Sequence, residues 1–160
     1  MINTIQINKF FQYSANLAAG GQPTAEQLKN LKENGFEVIV NISTSSAKNA
    51  IHNEVEIVEN LKMDYVHFPV DCSNLRDIHY LTVSSILKTF ESKKVFIHCA
   101  GNIKTSNLIH MYNVLEKKMD ENESLQTLLK IQQPEEKWFN YFRKMGMKGI
   151  RKYEVLTEYN

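Results

Sequence analysis

Short apolar segments alternate along this chain with stretches whose apolar residues recur every three or four positions. Residues 36–42, 65–70 and 95–97 are short runs rich in β-branched or aromatic side chains, as in strands. Apolar residues at helical spacing lie between these runs; one such set is Ile51, Val55, Val58 and Leu61. After the last run, only helical spacing is found. This order predicts an α/β fold, with a mostly parallel central sheet flanked by helices and a helical C-terminal half.

Length and composition set the broad class of protein. The 160 residues suffice for one domain, which we expect to span 1–160, with 146–160 as a tail. A formal net charge of +1 gives no reason to expect nucleic acid or a membrane surface as partner. Two cysteines are too few for a disulfide scaffold, and neither a signal peptide nor a run of about 20 apolar residues is present. These features predict a cytoplasmic protein.

The histidines and glycines do not form the usual cofactor motifs. The five histidines have no metal-ligand spacing, and no glycine-rich nucleotide loop occurs. We therefore expect the protein to work without a metal ion or cofactor.

The most informative segment runs from the strand at 95–97 through Cys99 to Ser106. His98 and Cys99 end the strand, a loop containing Gly101 and Asn102 follows, and we expect a helix to begin near Thr105 or Ser106. Ligands of parallel sheets bind beyond the carboxyl ends of the strands. Loop amides and a helix N-terminus attract an anion there, and the same field favours the thiolate form of a cysteine.

These residues resemble the signature of Cys-dependent protein tyrosine and dual-specificity phosphatases, which is His-Cys, five variable residues, Arg, then Ser or Thr. The sequence departs from that signature, because Thr105 stands six residues after Cys99 and the nearest base is Lys104. No Arg occurs between Arg76 and Arg143. Either the loop is one residue shorter than usual, with Lys104 in the Arg role, or no cation fills that role. The shorter loop is similar to that of small bacterial phosphatase-like proteins.

A second segment extends the resemblance toward the N-terminus. Gly21-Gln22-Pro23-Thr24, then a helix, Gly35-Phe36 and a strand ending in Asn41, look like the start of that bacterial family. Thr24 and Gln27 have the spacing of a capping box at the start of this helix.

The resemblance implies a role for each matching residue. Cys99 would be the nucleophile that forms a phosphocysteine, His98 would tune its thiolate, and Ser106, or Thr105 in the other register, would assist departure of the thiolate. The phosphate would bind to the loop from Ala100 to Thr105, that is, to Ala100, Gly101, Asn102, Ile103, Lys104 and Thr105. Asp71, which follows the strand at 65–70, is the expected general acid, with Asp77 as the second choice.

The missing Arg leaves three functions open. Lys lacks the planar fork with which Arg holds two phosphoryl oxygens, so we expect a weak phosphatase acting on phosphorylated proteins or small molecules. A catalytically dead pseudophosphatase that still binds phosphate is the second reading. A rhodanese-like sulfurtransferase is the third, because the four residues between Cys99 and Lys104 match the Cys-to-Arg spacing of its loop. If their two loops meet, Cys72 would close a reversible disulfide with Cys99; an ordinary thiol is the simpler interpretation.

Overall fold

The computed structural model describes residues 4–151 and contains a single five-stranded sheet in that range. The strands are β1 (Phe11–Ser14), β2 (Leu17–Gly20), β3 (Val38–Asn41), β4 (Asp64–His67) and β5 (Val95–His98). Their order across the sheet is β1-β2-β5-β3-β4. β1 pairs with β2 antiparallel, and the other neighbours are parallel. The predicted α/β fold with a mostly parallel sheet is confirmed.

Six helices cover the two faces of the sheet. They are α1 (Ala25–Glu33), α2 (Glu54–Asn60), α3 (Asp77–Thr89), α4 (Ile103–Leu115), α5 (Glu121–Ile131) and α6 (Glu136–Lys144). The capping box at Thr24 and Gln27 is present at the start of α1. Within the described range, no helix is long and apolar enough to cross a membrane.

The central strand β5 separates two apolar layers. Phe96 packs with Leu28 and Phe36 in the layer that contains α1 and α2. Ile97 packs with Leu108 in the larger layer, which contains α3 to α6. Because side chains alternate along a strand, His98 is directed to the α1–α2 side and Cys99 to the helical C-terminal half.

Two predicted boundaries are wrong by a few residues. β4 ends at His67 rather than at residue 70, because the regular register with β3 is lost there: Phe68 donates to the Asn41 carbonyl, but Val70, two residues on, donates to the very next carbonyl, that of Ile42. Helix α4 begins at Ile103, two residues before the predicted start at Thr105, because Asn102 takes a left-handed conformation (φ 61°) and serves as its N-cap.

The start of the predicted C-terminal tail packs on the domain. Met147 is buried, and the backbone N–H of Lys148 donates to Glu121 Oε1 at 3.0 Å. The rest of that tail, residues 152–160, lies outside the described residues.

Candidate active site

Cys99 lies at the carboxyl end of β5, the central strand of the sheet. Its side chain is only 2% exposed, and it is a free thiol. The neighbouring strands β2 and β3 end beside it, since Gly20 and Asn41 are both in register with His98. Cys99 therefore lies at the carboxyl edge of the sheet, among the segments that follow three parallel strands.

Hydrogen bonds from outside the loop fix its first two peptide groups. His98 Nδ1 donates to the Cys99 carbonyl at 3.2 Å. The Ala100 carbonyl accepts from the backbone of Gln22 at 3.1 Å and from Asn49 Nδ2 at 2.9 Å. Because the N–H of a trans peptide points away from its carbonyl, the N–H groups of Ala100 and Gly101 are directed toward the inside of the loop.

The contact between the loop and the segment after β2 depends on a glycine. A Cβ at Gly21 would lie 2.9 Å from the Ala100 carbonyl oxygen, a clash with backbone that could not be relieved by a side-chain rotation. Gly21 thus allows the backbone to approach closely enough to hold the Ala100 carbonyl.

The first turn of α4 adds more donors to the same place. The N–H groups of Ile103, Lys104 and Thr105 belong to the first turn of the helix, which has no intrahelical acceptors for them, and the positive end of its dipole lies there. Together with the loop amides of Ala100 and Gly101, they form the kind of N–H cluster that binds an anion.

Lys104 connects this turn to the segment after β4. Its Nζ donates to the Val70 carbonyl at 2.6 Å, so the ammonium group lies beside Asp71. Lys104 therefore brings a positive charge to the edge of the site, although it lies in the helix rather than in the loop as the sequence suggested.

Ser106, one predicted partner of the thiolate, is occupied elsewhere. It lies within α4, and its hydroxyl donates to the Asn102 carbonyl at 2.5 Å and accepts from Gln132 Nε2 at 2.8 Å. The hydroxyl of Thr105 is buried and has no hydrogen-bond partner among the described residues. The earlier start of α4 thus favours Thr105, the alternative residue in the sequence analysis, over Ser106.

Asp71 follows β4 and its extension, and it caps a short 3₁₀ turn, Cys72–Asn74. Its Oδ1 accepts from the Ser73 hydroxyl at 2.7 Å and from the Ser73 N–H at 2.9 Å. These hydrogen bonds, and more weakly the charge of Lys104, hold the pKa of the exposed Asp71 carboxyl below its usual range. Asp77, the second choice, forms a surface ion pair with Lys144 at 3.0 Å.

A buried carboxylate that the sequence analysis missed lies behind the loop. Glu54, at the start of α2, is 3% exposed. Its two oxygens accept from four side chains: His98 Nε2 at 2.7 Å, Asn41 Nδ2 at 2.8 Å, Tyr65 Oη at 2.9 Å and Gln22 Nε2 at 3.0 Å. The network joins α2 to β3, β4 and β5 and to the segment after β2.

The signal that could have revealed Glu54 is its position relative to Val58. The two residues are four apart on α2 and both are buried, whereas Val55, which the apolar spacing favoured, is 45% exposed. An acidic residue on the inner face of a helix is unusual enough to suggest a specific partner.

Cys72 lies one residue after Asp71 and is half-buried. Burial raises the pKa of its thiol, while the charges of Lys104 and Lys137 act in the opposite direction. Both cysteines are free, and among the described residues no group of three or more His, Cys, Asp or Glu side chains could hold a metal ion.

Comparisons with known proteins identify a family and a shared fold. The family model described as "PTP-NADK: DSP-PTPase phosphatase fused to NAD+ Kinase" matches residues 6–144. A DUF442 protein from Shewanella putrefaciens CN-32, described as a candidate phosphatase, is 23% identical, with a TM-score of 0.76 over 88% of this chain and 90% of its own.

Two further solved structures are similar. Tk-PTP in its active form is 13% identical, with a TM-score of 0.71 over 85% of this chain and 95% of its own. TpbA from P. aeruginosa is 17% identical, with a TM-score of 0.69 over 92% of this chain and 91% of its own. No curated protein matches the chain. At these identities the structural likeness shows a shared fold.

Proposed function

This chain belongs to the family described as DSP-PTPase phosphatase fused to NAD+ kinase, and we propose that it hydrolyses phosphomonoesters through Cys99. The resemblance to tyrosine and dual-specificity phosphatases is thereby confirmed at the level of the family. The observation that carries the proposal is the orientation of the two peptide groups after Cys99. The carbonyls of Cys99 and Ala100 accept hydrogen bonds from outside the loop, so the N–H groups of Ala100 and Gly101 are directed toward its inside.

The reaction would proceed in two steps. The Cys99 thiolate attacks phosphorus, an S–P bond forms, and the P–O bond to the leaving group breaks. Water then attacks phosphorus, the S–P bond breaks, and inorganic phosphate leaves. The loop amides from Ala100 to Thr105 would stabilise the charge on the phosphoryl oxygens in both steps.

Asp71 would protonate the leaving oxygen and afterwards take a proton from the attacking water. Its place beside Lys104 supports this role. The lowered pKa of its carboxyl opposes the role at neutral pH, because an ionised carboxylate has no proton to give. If Asp71 donates this proton, Asp71→Asn should slow hydrolysis of phenyl phosphate, whose phenolate is a poor leaving group, more than hydrolysis of p-nitrophenyl phosphate.

Thr105 would hydrogen-bond the sulfur as it leaves phosphorus. Its buried, unpartnered hydroxyl and its place directly after Lys104 support this assignment, and they match a loop one residue shorter than the usual signature. Thr105→Val should slow breakdown of the phosphocysteine, whereas Thr105→Ser should retain most of the rate.

A pseudophosphatase is the second candidate, because the loop has no Arg and its nearest cation is Lys104. One lost transition-state donor costs about 10²–10³ in rate, while the amides would still bind phosphate. We expect Lys104→Arg to raise turnover roughly tenfold if Lys104 occupies the Arg position. A fall in turnover with folding intact would show that it does not.

The deciding experiment measures hydrolysis of p-nitrophenyl phosphate by the purified chain and by Cys99→Ser. We expect activity that Cys99→Ser abolishes and that the matched control Cys72→Ser retains. Binding of phosphate without turnover would favour the pseudophosphatase. Formation of thiocyanate from thiosulfate and cyanide would favour the sulfurtransferase.

The substrate class needs a separate comparison. A solved structure of TpbA contains phosphotyrosine, and one of PTPMT1 contains PI(5)P. We propose a phosphorylated protein or small molecule as substrate, a single domain over 1–160, and a cytoplasmic location. Turnover of a phosphotyrosine peptide and of a phosphoinositide by the same preparation separates the two substrate classes.

A further inference from the structure

Glu54 and His98 form a buried pair directly behind the nucleophile. His98 is fully buried, Glu54 is 3% exposed, and His98 Nε2 lies 2.7 Å from Glu54 Oε1. On its other side, His98 Nδ1 lies 3.2 Å from the carbonyl oxygen of Cys99. Both ring nitrogens therefore face an oxygen atom.

The number of protons on this pair follows from the chemistry of those oxygens. A backbone carbonyl can only accept, so Nδ1 must carry a hydrogen. With Nδ1 protonated, Nε2 faces a carboxyl oxygen, and one more proton must lie between the two atoms. The pair holds that proton either as an imidazolium with a carboxylate or as a neutral imidazole with a carboxylic acid.

The other partners of Glu54 decide between these two states. Gln22, Asn41 and Tyr65 each direct an N–H or O–H at the carboxyl group. Three donors favour the ionised form of a carboxyl group. Burial alone would raise the pKa of the Glu54 carboxyl, but the hydrogen bond and charge of His98, with the bonds from Tyr65 and Gln22, bring it below its usual value. The proton accordingly resides on His98.

We propose that Glu54 is a positioning residue that keeps His98 as an imidazolium, and that the fixed imidazolium favours the thiolate form of Cys99. The effect has two parts. The positive charge lies on the residue before the nucleophile, and the Nδ1 hydrogen bond holds the peptide that directs the N–H of Ala100 into the loop. The inference rests on the proposed function, since it assigns a task to a residue behind the same cysteine.

Other titratable groups near the pair are few. A cavity of about 200 Å³ adjoins Glu54, and its lining includes Tyr65, His52 and His67. Burial is the main cause that raises the pKa of the Tyr65 phenol, and the adjacent Glu54 carboxylate raises it further, so the phenol remains a neutral donor. His67 Nε2 lies 2.9 Å from the Ser43 carbonyl, so its contact is with the backbone. The pH dependence of the pair should therefore be dominated by Glu54 and His98.

The test compares the rate of Cys99 alkylation by iodoacetamide across pH, in a Cys72→Ser background so that one thiol reacts. Glu54→Gln is nearly isosteric, and its amide can donate to an unprotonated Nε2, which leaves His98 neutral. We expect the midpoint of the rate–pH profile to move upward by about one pH unit or more. Glu56→Gln, an exposed position on the same helix, should leave the midpoint unchanged.

A second measurement needs no substitution. The ¹⁵N chemical shifts of the imidazole rings in the wild-type chain distinguish protonated from unprotonated nitrogens. We expect both nitrogens of His98 to carry hydrogen at pH 7. A neutral His98 at that pH, or an alkylation midpoint that Glu54→Gln does not move in a folded protein, would overturn the proposal.

These readouts are independent of phosphate ester hydrolysis. A shifted midpoint in a chain that hydrolyses no phosphomonoester would retain the role of Glu54 and reject the phosphatase. Hydrolysis of a phosphomonoester by a chain whose alkylation midpoint Glu54→Gln does not shift would retain the phosphatase and reject the role of Glu54.

Discussion

Two buried histidines, one before α4 and one within it, have opposite surroundings. His98 precedes the helix and is fully buried, and its Nε2 meets the carboxylate of Glu54. His110 lies within the helix and is 3% exposed; its Nδ1 lies 2.6 Å from the hydroxyl of Ser124. Burial lowers the pKa of His110 to about 4, so that ring is neutral at pH 7. The contrast teaches that the partner, and not burial alone, sets the charge of a buried histidine.

The two partners also differ in what they contribute to the site. Ser124 belongs to α5 and joins two helices of the same layer, and the ring of His110 packs edge-on against Phe142 at 5.1 Å. Glu54 comes from the opposite side of the sheet and holds a residue next to the nucleophile. A neutral histidine serves packing, whereas the charged pair can act on the thiol.

Removing the carboxylate should produce the largest effect. Glu54→Ala leaves His98 without its counter-charge and Asn41 and Tyr65 without their acceptor, so we expect the free energy of unfolding to fall by about 3–5 kcal/mol. Urea denaturation of the wild type and the variant at pH 7 measures this fall in the free energy of unfolding. Glu56→Ala should cost less than about 1 kcal/mol. Equal losses for the two variants would remove the distinction between a buried pair and an ordinary helix acid.

Acid should destabilise the protein through His110. Its pKa is lowered in the folded state, so the unfolded state binds the proton more readily below the ordinary histidine value. The associated stability is complete above about pH 6.5 and is lost as the pH falls toward 4, by about 2 kcal/mol at pH 5 and about 3 kcal/mol at pH 4.

The same denaturation series on His110→Gln isolates this contribution, because other titrating groups are common to both proteins. We expect the variant to lose less stability than the wild type between pH 7 and pH 4. Parallel stability–pH curves for the two proteins would mean that the pKa of His110 is the same in the folded and unfolded states.

The smallest effect should come from the neutral pair. Ser124→Ala removes one hydrogen bond to an uncharged ring, so we expect a loss of about 1 kcal/mol in the free energy of unfolding. Gln126→Ala, an exposed position on the same helix, is the matched control. A loss as large as that of Glu54→Ala would indicate that His110 carries charge after all.

The strand at 95–97 and the cysteine after it could be predicted because their signals are contiguous. Three apolar residues, then His98 and Cys99, lie next to one another in the sequence, and strand β5 spans Val95–His98. The start of α4 could not be placed as well, because the positive φ of Asn102 brings Ile103 into the helix. The partners of the two hydroxyls are likewise set by packing, since Ser106 bonds to Asn102 and Gln132 while Thr105 has no partner among the described residues.

The sequence by itself determined the alternation of strands and helices and the position of the candidate nucleophile, because both depend on short-range patterns of polarity and backbone preference. Folding brings Glu54 to His98 across 44 residues, together with side chains from β3, β4 and the segment after β2. The spacing to Val58 could place Glu54 on the inner face of α2, but nothing local identifies its partner, since a glutamate in a helix is normally solvated. The charge state of a buried group is a property of the assembled fold, where desolvation and hydrogen bonds compete at one place.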